Sequence, residues 1–156
     1  MENFTQDSPF IKERMKVWAK RMENAIGGRI WETRPPWEME VFNAFGQKCA
    51  LRQTCERITM DHALPRQKGK PGRNGRKNMY PLEWSLNSSK HNAHMFKWFE
   101  AHRERLNLDA NRFNALVEHL AKENGMTAEE YRTYYDREYE EYVEYKGGKV
   151  RNVRSY

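Results

Sequence analysis

A basic tract without core-forming side chains lies in the middle of the chain and limits what can fold around it. From Pro65 to Lys77 the sequence contains three glycines, and after Pro65 its one apolar residue is Pro71. The tract also carries six basic residues, namely Arg66, Lys68, Lys70, Arg73, Arg76 and Lys77. A segment of this composition has almost nothing to bury, so it is predicted to be an exposed loop.

Two helices are predicted before this loop. The first begins at Ser8-Pro9, because serine caps helices and proline is favoured at the first helical position, and it ends at Gly27-Gly28. Its apolar stripe consists of Phe10, Ile11, Met15, Trp18, Met22 and Ile26. The second helix is short and runs from Pro36 to Phe45, with Gly46 as its stop and with inward-facing Trp37, Val41, Phe42 and Phe45.

A hairpin and a long helix are predicted on either side of the loop. Apolar residues surround the polar turn 52–57, which indicates a short β-hairpin between Lys48 and Asp61; they are Cys49, Leu51, Ile58 and Met60. After Trp84, Ser85 is placed to cap a helix that runs to about Leu106. One face of that helix would carry Met95, Phe96, Phe99, His102 and Leu106.

Two further helices are predicted in the C-terminal third. Asp109 would cap the first, and Asn124-Gly125 would end it. Thr127 and Glu130 have the spacing of a capping box at the start of the second, which stops at Gly147-Gly148. This last helix contains Tyr131, Tyr134, Tyr135, Tyr139, Tyr142 and Tyr145. Tyrosines at this spacing among acidic residues are typical of a packing face.

The charge is unevenly distributed along the 156 residues, a length that suits one domain. The net charge of +6 suggests a polyanionic partner. Residues 47–105 contain 13 Lys and Arg against 5 Asp and Glu, whereas residues 126–145 contain 2 against 7. A nucleic-acid contact is therefore best placed in the middle of the chain.

Cysteine usage and hydropathy indicate the cellular compartment. The chain has two cysteines, Cys49 and Cys55, and no apolar run of membrane-spanning length. Its N-terminus lacks the pattern of a signal peptide. We therefore expect an intracellular protein with reduced thiols and without a membrane partner.

The candidate catalytic and metal-binding residues flank the basic loop. Asp61 and His62 lie at the end of a predicted strand, where neighbours point to opposite faces, so one can hold a metal while the other faces a substrate. Asn78 follows sixteen positions after His62. Asn87 and His91 are four apart at the first turn of the predicted helix and would project from one face. Together these groups would form a small pocket beside a helix N-terminus, which favours phosphate.

The order of these residues resembles the HNH family of nucleases with its ββα-metal fold. The shared pattern is Asp-His-x-x-Pro at 61–65, a glycine-rich basic loop, Asn78, and Asn-x-x-Lys at 87–90. The string Pro-Leu-Glu-Trp-Ser-Leu-Asn-Ser-Ser-Lys, followed by Phe-Lys-Trp-Phe at 96–99, is similar to HNH proteins of bacteriophages and prophages. The resemblance covers roughly residues 47 to 100.

The resemblance implies a DNA endonuclease that hydrolyses phosphodiester bonds with a divalent metal and leaves 5′-phosphate and 3′-hydroxyl ends. His62 matches the general base, and Asn78 matches the residue that holds this histidine in its productive orientation. Asp61 and Asn87 match metal ligands. His91 matches a position that supplies a further ligand in some members.

The resemblance also implies a cofactor, a partner and a location. The oxygen pair favours Mg²⁺, and a nitrogen ligand from His91 would widen the choice to Mn²⁺, Ni²⁺ or Zn²⁺. The six loop cations would contact the DNA backbone, and Lys90 would contact a phosphate or serve the structure. Two cysteines cannot supply the four thiolates that hold a structural zinc in many HNH proteins. The location would be the cytoplasm, that of the host cell if a phage encodes the protein.

The predicted fold class is α+β, a mostly helical chain around a small ββα-metal hairpin and helix. Residues 1–46 would form a helical N-terminal extension, residues 47–106 the HNH nuclease core, and residues 107–156 a helical C-terminal extension. The alternative function is a non-catalytic nucleic-acid-binding or phage-assembly protein on the same scaffold. The presence of the base, its orienting asparagine and two oxygen ligands favours the enzyme.

One alternative for the C-terminal extension is a DNA-binding helix-turn-helix. Ala121, Gly125 and Tyr131 have the spacing of such a motif. Glu129 and Glu130, however, begin the helix that would enter the groove, and they would repel phosphate. We therefore expect the acidic, tyrosine-rich helix to pack against the core or a protein partner.

Overall fold

A computed structural model describes residues 16–17 and 35–147 of the chain. The predicted N-terminal helix from Ser8 to Gly28 lies outside the described residues apart from Lys16 and Val17, which are helical. Within the described part, the fold is α+β, with five α-helices, one 3₁₀ helix and a two-stranded antiparallel sheet. This agrees with the predicted class. None of the helices in that part is long and apolar enough to cross a membrane.

The sheet is a hairpin whose strands flank the basic loop. Strand β1 (Ile58–His62) pairs antiparallel with β2 (Met79–Glu83), so that Ile58 faces Glu83 and His62 faces Met79. The predicted hairpin between Lys48 and Asp61 is therefore wrong in its pairing. Cys49 is fully buried and Cys55 is exposed, and the chain at Cys49 only joins the edge of the sheet, where the Ala50 N–H donates to the Pro81 carbonyl at 2.8 Å. Alternating apolar residues indicated burial, which does not specify the partner strand.

The basic loop connects the two strands and is partly ordered against the rest of the molecule. It contains a 3₁₀ helix, Pro71–Asn74, and the side chain of Arg73 is buried. The prediction of an exposed loop is thus wrong for Arg73. Its guanidinium donates to Glu138, which the sequence places 65 residues away. The ion pair with Glu138, a residue distant in sequence, therefore stabilises the buried position of Arg73.

Helix α1 (Pro36–Ala44) agrees with prediction, whereas the long helix expected after Trp84 is divided. Helix α2 (Trp84–Lys90) starts after Glu83 and ends at Lys90, and its C-cap His91 has a left-handed φ of 46°. Helix α3 (Met95–His102) follows the N-cap residue His94, whose side chain accepts a hydrogen bond from the Lys97 N–H. The prediction of one helix capped by Ser85 and reaching Leu106 is wrong, because a turn between the two apolar segments stops the first helix.

The last two helices confirm the predicted caps. Helix α4 (Ala110–Glu123) is capped by the Asp109 side chain and is followed by Asn124 and by Gly125 at a φ of 68°. Helix α5 (Ala128–Tyr145) begins with the complete capping box of Thr127 and Glu130. Such caps are read correctly from sequence because they join residues within one turn.

One hydrophobic core takes residues from all three predicted segments, from Phe42 in α1 to Tyr142 in α5. Four tyrosines of α5 are buried, namely Tyr131, Tyr135, Tyr139 and Tyr142. The Tyr135 hydroxyl donates to the Ala63 carbonyl at 2.6 Å, directly after β1. The tyrosine face therefore packs on the hairpin, which agrees with the expectation that this helix packs against the core. This packing brings the end of α5 beside the last residues of β1.

Candidate functional site

A cavity of about 1150 Å³ lies where β1, α2 and the end of α5 meet. Four of the residues expected to act in catalysis or metal binding line it, namely Asp61, His62, Asn87 and His91, and so does the loop cation Arg66. Its wall also includes Asn74 from the loop and two tryptophans, Trp37 and Trp84. The hairpin and α2 thus bring together groups that are up to 30 positions apart in sequence.

His62 is half-buried on the wall of this cavity. Its Nε2 lies 3.0 Å from the amide oxygen of Asn74, which assigns the ring proton to Nε2 and leaves a lone pair on Nδ1. Burial lowers the pKa of His62 below its ordinary value, although the Asn74 hydrogen bond and the nearby Asp61 act in the opposite direction. The imidazole is therefore neutral at neutral pH and able to accept a proton.

Asn78 does not have the contact that the sequence assigned to it. Its amide oxygen accepts from the Leu64 N–H at 2.8 Å, and its amide nitrogen donates to the carbonyls of Leu64 and Arg73 at 2.8 and 2.9 Å. Asn78 thus closes the base of the loop behind His62, and the side chain that contacts the imidazole is Asn74. Sequence reasoning missed Asn74 because Arg-Asn-Gly is an ordinary turn sequence.

Asp61 is held by a buried polar network. Its Oδ2 accepts a hydrogen bond from the Tyr80 hydroxyl at 2.8 Å and lies 2.9 Å from the Lys90 ammonium, which also donates to the His62 carbonyl at 2.9 Å. The pKa of Tyr80 is raised well above its ordinary value by burial and by the Asp61 charge. Tyr80 was not identified from the sequence.

Lys90 was predicted to contact a phosphate or to serve the structure, and its position fits the structural role. Its side chain is 0% exposed, so its ammonium offers no surface to a phosphate in this conformation. Assigning it to nucleic-acid binding is therefore inconsistent with the structure. A buried carboxylate requires a compensating charge, and Lys90 provides one for Asp61.

Asn87 and His91 lie at the other wall of the cavity. The Asn87 amide nitrogen donates to the Thr59 hydroxyl at 2.8 Å, and this hydroxyl donates to the Leu82 carbonyl at 2.8 Å. That chain of bonds orients the amide of Asn87 and leaves its oxygen without a donor among the described residues. His91 is exposed and follows the end of α2 instead of lying in its first turn, because α2 is short.

The donor atoms at the cavity fit a divalent metal in chemical type. Asp61 Oδ1 and Asn87 Oδ1 accept no hydrogen bond from the described residues, and the His91 imidazole is exposed. Two oxygens and a nitrogen are suitable ligands for Mg²⁺ or Mn²⁺. Among the described residues, however, no three His, Cys, Asp or Glu side chains are grouped as a metal site. The set relies on an amide oxygen, and Lys90 already balances the charge of Asp61.

The six loop cations divide into two groups. Lys70 lies 2.9 Å from both Glu138 and Glu141, and Arg73 also contacts Glu138. Hydrogen bonds with Glu138 and Glu141 raise the pKa of Lys70.

The third paired cation is Arg76, which contacts Glu40 at 2.8 Å and Glu123 at 3.1 Å. The other three, namely Arg66, Lys68 and Lys77, have no carboxylate partner among the described residues. Half of the predicted backbone contacts are therefore already engaged in ion pairs within the molecule.

Comparisons of the chain with protein-family models, with curated proteins and with solved structures find no match.

Proposed function

We propose that the protein is a metal-dependent DNA endonuclease of the HNH type. The observation that carries this proposal is the convergence of His62, Asp61, Asn87 and His91 on one cavity. The order of β1, β2 and α2 around that cavity is the strand, strand and helix order of a ββα-metal centre. Residue types, spacing and location therefore all favour the same chemistry.

His62 would act as the general base. A base must be unprotonated before the reaction, and burial favours the neutral imidazole by lowering its pKa. The bond from Nε2 to Asn74 directs Nδ1 as the atom that takes the proton from the attacking water. Asn78 would contribute indirectly, by holding the loop backbone at Leu64, two residues after His62.

Asp61 and Asn87 would hold the metal, and His91 would complete the set if it turns its imidazole into the cavity. Mg²⁺ suits the two oxygens, and a nitrogen ligand would admit Mn²⁺, Ni²⁺ or Zn²⁺. The bound cation would supply positive charge to the phosphate and to the departing 3′ oxygen. Lys90 and Tyr80 would keep the Asp61 carboxylate in one orientation from the side away from the metal.

The test is cleavage of supercoiled plasmid with a panel of divalent metals. The wild-type protein should produce nicked or linear DNA only when a metal is present. His62→Ala should reduce the rate by about 10²- to 10⁴-fold, the usual contribution of a general base. His119→Ala is the matched control, because His119 lies in α4 and does not line the cavity. Cleavage by His62→Ala at the wild-type rate would remove His62 from the mechanism.

The second candidate is a non-catalytic nucleic-acid-binding or phage-assembly protein on the same scaffold. The observation in its favour is the ion pair of Asp61 with Lys90, because this ammonium already neutralises the carboxylate. Such a protein would retard plasmid in a gel without cutting it, whichever metal is added. The same experiment therefore separates the two functions.

A further inference from the structure

A second cavity, of about 530 Å³, adjoins the candidate centre. Arg66, Asn74 and Lys146 line both cavities, so the two form neighbouring parts of one surface depression. One wall of the second cavity is the basic loop, and the other is the end of α5 with Tyr145 and Lys146. Residues 66 and 146 are thus brought together by the packing of α5 on the hairpin.

The cations around this second cavity differ in whether a carboxylate already binds them. Lys70 and Arg73 are paired with Glu138 and Glu141. Arg66 and Lys68 have no such partner among the described residues. Lys146 has aromatic neighbours instead, since its ammonium lies 5.6 Å from the Tyr145 ring centre and 6.0 Å from that of Tyr142. An aromatic face attracts an ammonium group without neutralising its charge.

We propose that Arg66, Lys68 and Lys146 form a phosphate-binding groove that carries the DNA backbone away from the candidate centre. This inference rests on the proposed function for its ligand. Phosphodiester oxygens are the matching chemistry, because three unneutralised cations surround a depression that continues from the cavity of His62. Lys77, also unpaired, lines neither cavity.

The acidic character of α5 does not oppose this placement. Glu138 and Glu141 are the acidic residues that face the loop, and both are bound by Lys70, Glu138 also by Arg73. Among the described residues, no carboxylate lines the second cavity. The ion pairs therefore shield the DNA path from α5 and anchor the loop that carries Arg66 and Lys68.

The experiment measures equilibrium binding of a short fluorescein-labelled DNA duplex by anisotropy, in EDTA, over about 50 to 200 mM salt. The double variant Arg66→Ala/Lys146→Ala should reduce the slope of log K against log salt by about 1.8, since each lost phosphate contact removes about 0.9. Lys97→Ala/Arg105→Ala is the matched control. It removes the same two charge types from exposed residues that line neither cavity, and its slope should stay at the wild-type value.

The salt slopes of the two double variants decide between a specific groove and a general effect of net charge. Equal slope changes in both double variants would mean that only the net charge matters, and the groove would be rejected. An unchanged slope in Arg66→Ala/Lys146→Ala, with clear wild-type binding, would also reject it and leave the nuclease proposal standing. If Arg66→Ala/Lys146→Ala reduced the salt slope as expected but the wild-type protein cut no plasmid, the groove would be supported and the nuclease rejected. Lys146→Glu, a charge reversal at an exposed position, should weaken binding further than Lys146→Ala, and thermal melts of all variants confirm folding.

Discussion

The interior side of the hairpin and its cavity side hold polar residues in different ways. In the interior, Lys90 bonds two groups and Asn78 makes three hydrogen bonds, and the Oδ2 of Asp61, whose side chain also lines the cavity, has two partners. On the cavity wall, the side chains of His62 and Asn87 each have one hydrogen-bond partner, and that of His91 has none among the described residues. Interior polar groups must be satisfied within the protein, whereas groups on the wall retain atoms for water, metal or substrate.

This difference predicts that variants of the interior network lower stability and that variants of the wall lower activity. A residue that behaved in the opposite way would break the comparison.

Lys90→Ala should have the largest effect on folding. Removal of the ammonium leaves the buried Asp61 carboxylate uncompensated, so the free energy of unfolding should fall by about 3–5 kcal/mol. Chemical denaturation followed by circular dichroism measures this value. Lys97→Ala, an exposed lysine on α3, is the control and should stay within about 0.5 kcal/mol of the wild type. If Lys90→Ala were as stable as this control, the buried ion pair would have no structural role.

The two asparagines of the loop provide a direct contrast. Asn78→Ala removes three hydrogen bonds from a buried site and should cost about 1–3 kcal/mol of stability, because the buried Leu64 N–H loses its acceptor. Asn74→Ala removes one exposed contact and should change stability by less than about 0.5 kcal/mol.

For the same pair, plasmid cleavage supplies the second readout. Loss of the orienting bond to His62 should lower the rate of Asn74→Ala about fivefold, equivalent to about 1 kcal/mol. Denaturation and cleavage assays on both variants, compared at equal folded fraction, measure the two effects. Full activity in Asn74→Ala would show that the contact with Nε2 does not position the imidazole.

The smallest effect concerns pH and His94. His94 Nε2 lies 2.7 Å from Asp136 Oδ1, and burial lowers the pKa of His94, although Asp136 acts in the opposite direction. Since its folded-state pKa lies below the unfolded value of 6.5, its contribution to stability is present above that pH and is lost as the pH falls towards the folded value. His94→Gln should therefore lose less stability than the wild type on acidification from about pH 7 to 5. Parallel denaturation curves for the two proteins would contradict this.

Local signals account for the parts of the fold that were predicted correctly. Helix α1, the Asp109 cap, the capping box of α5 and the glycines after the last two helices all depend on residues within a few positions of each other. The window that contains Asp61, His62, Asn87 and His91 was selected by residue type and spacing. The pairing of β1 with β2 that brings these residues to one cavity was not predicted, and their roles stay predictions. The break at His91 escaped prediction, since apolar residues on both sides of it continue a helical pattern.

The tertiary structure decides which candidate side chains are already engaged in contacts within the protein and which remain available to a ligand. The sequence determined the caps of the last two helices and the chemical types of the candidate residues, but not the break of the predicted long helix at His91. It could not determine that Glu138 binds Lys70 and Arg73, that Lys90 is buried against Asp61, or that Asn74 rather than Asn78 contacts His62. The physical reason is that caps and turns depend on neighbours along the chain. Ion pairs and hydrogen bonds between distant residues form only where packing of α5 and closure of the loop bring them within reach.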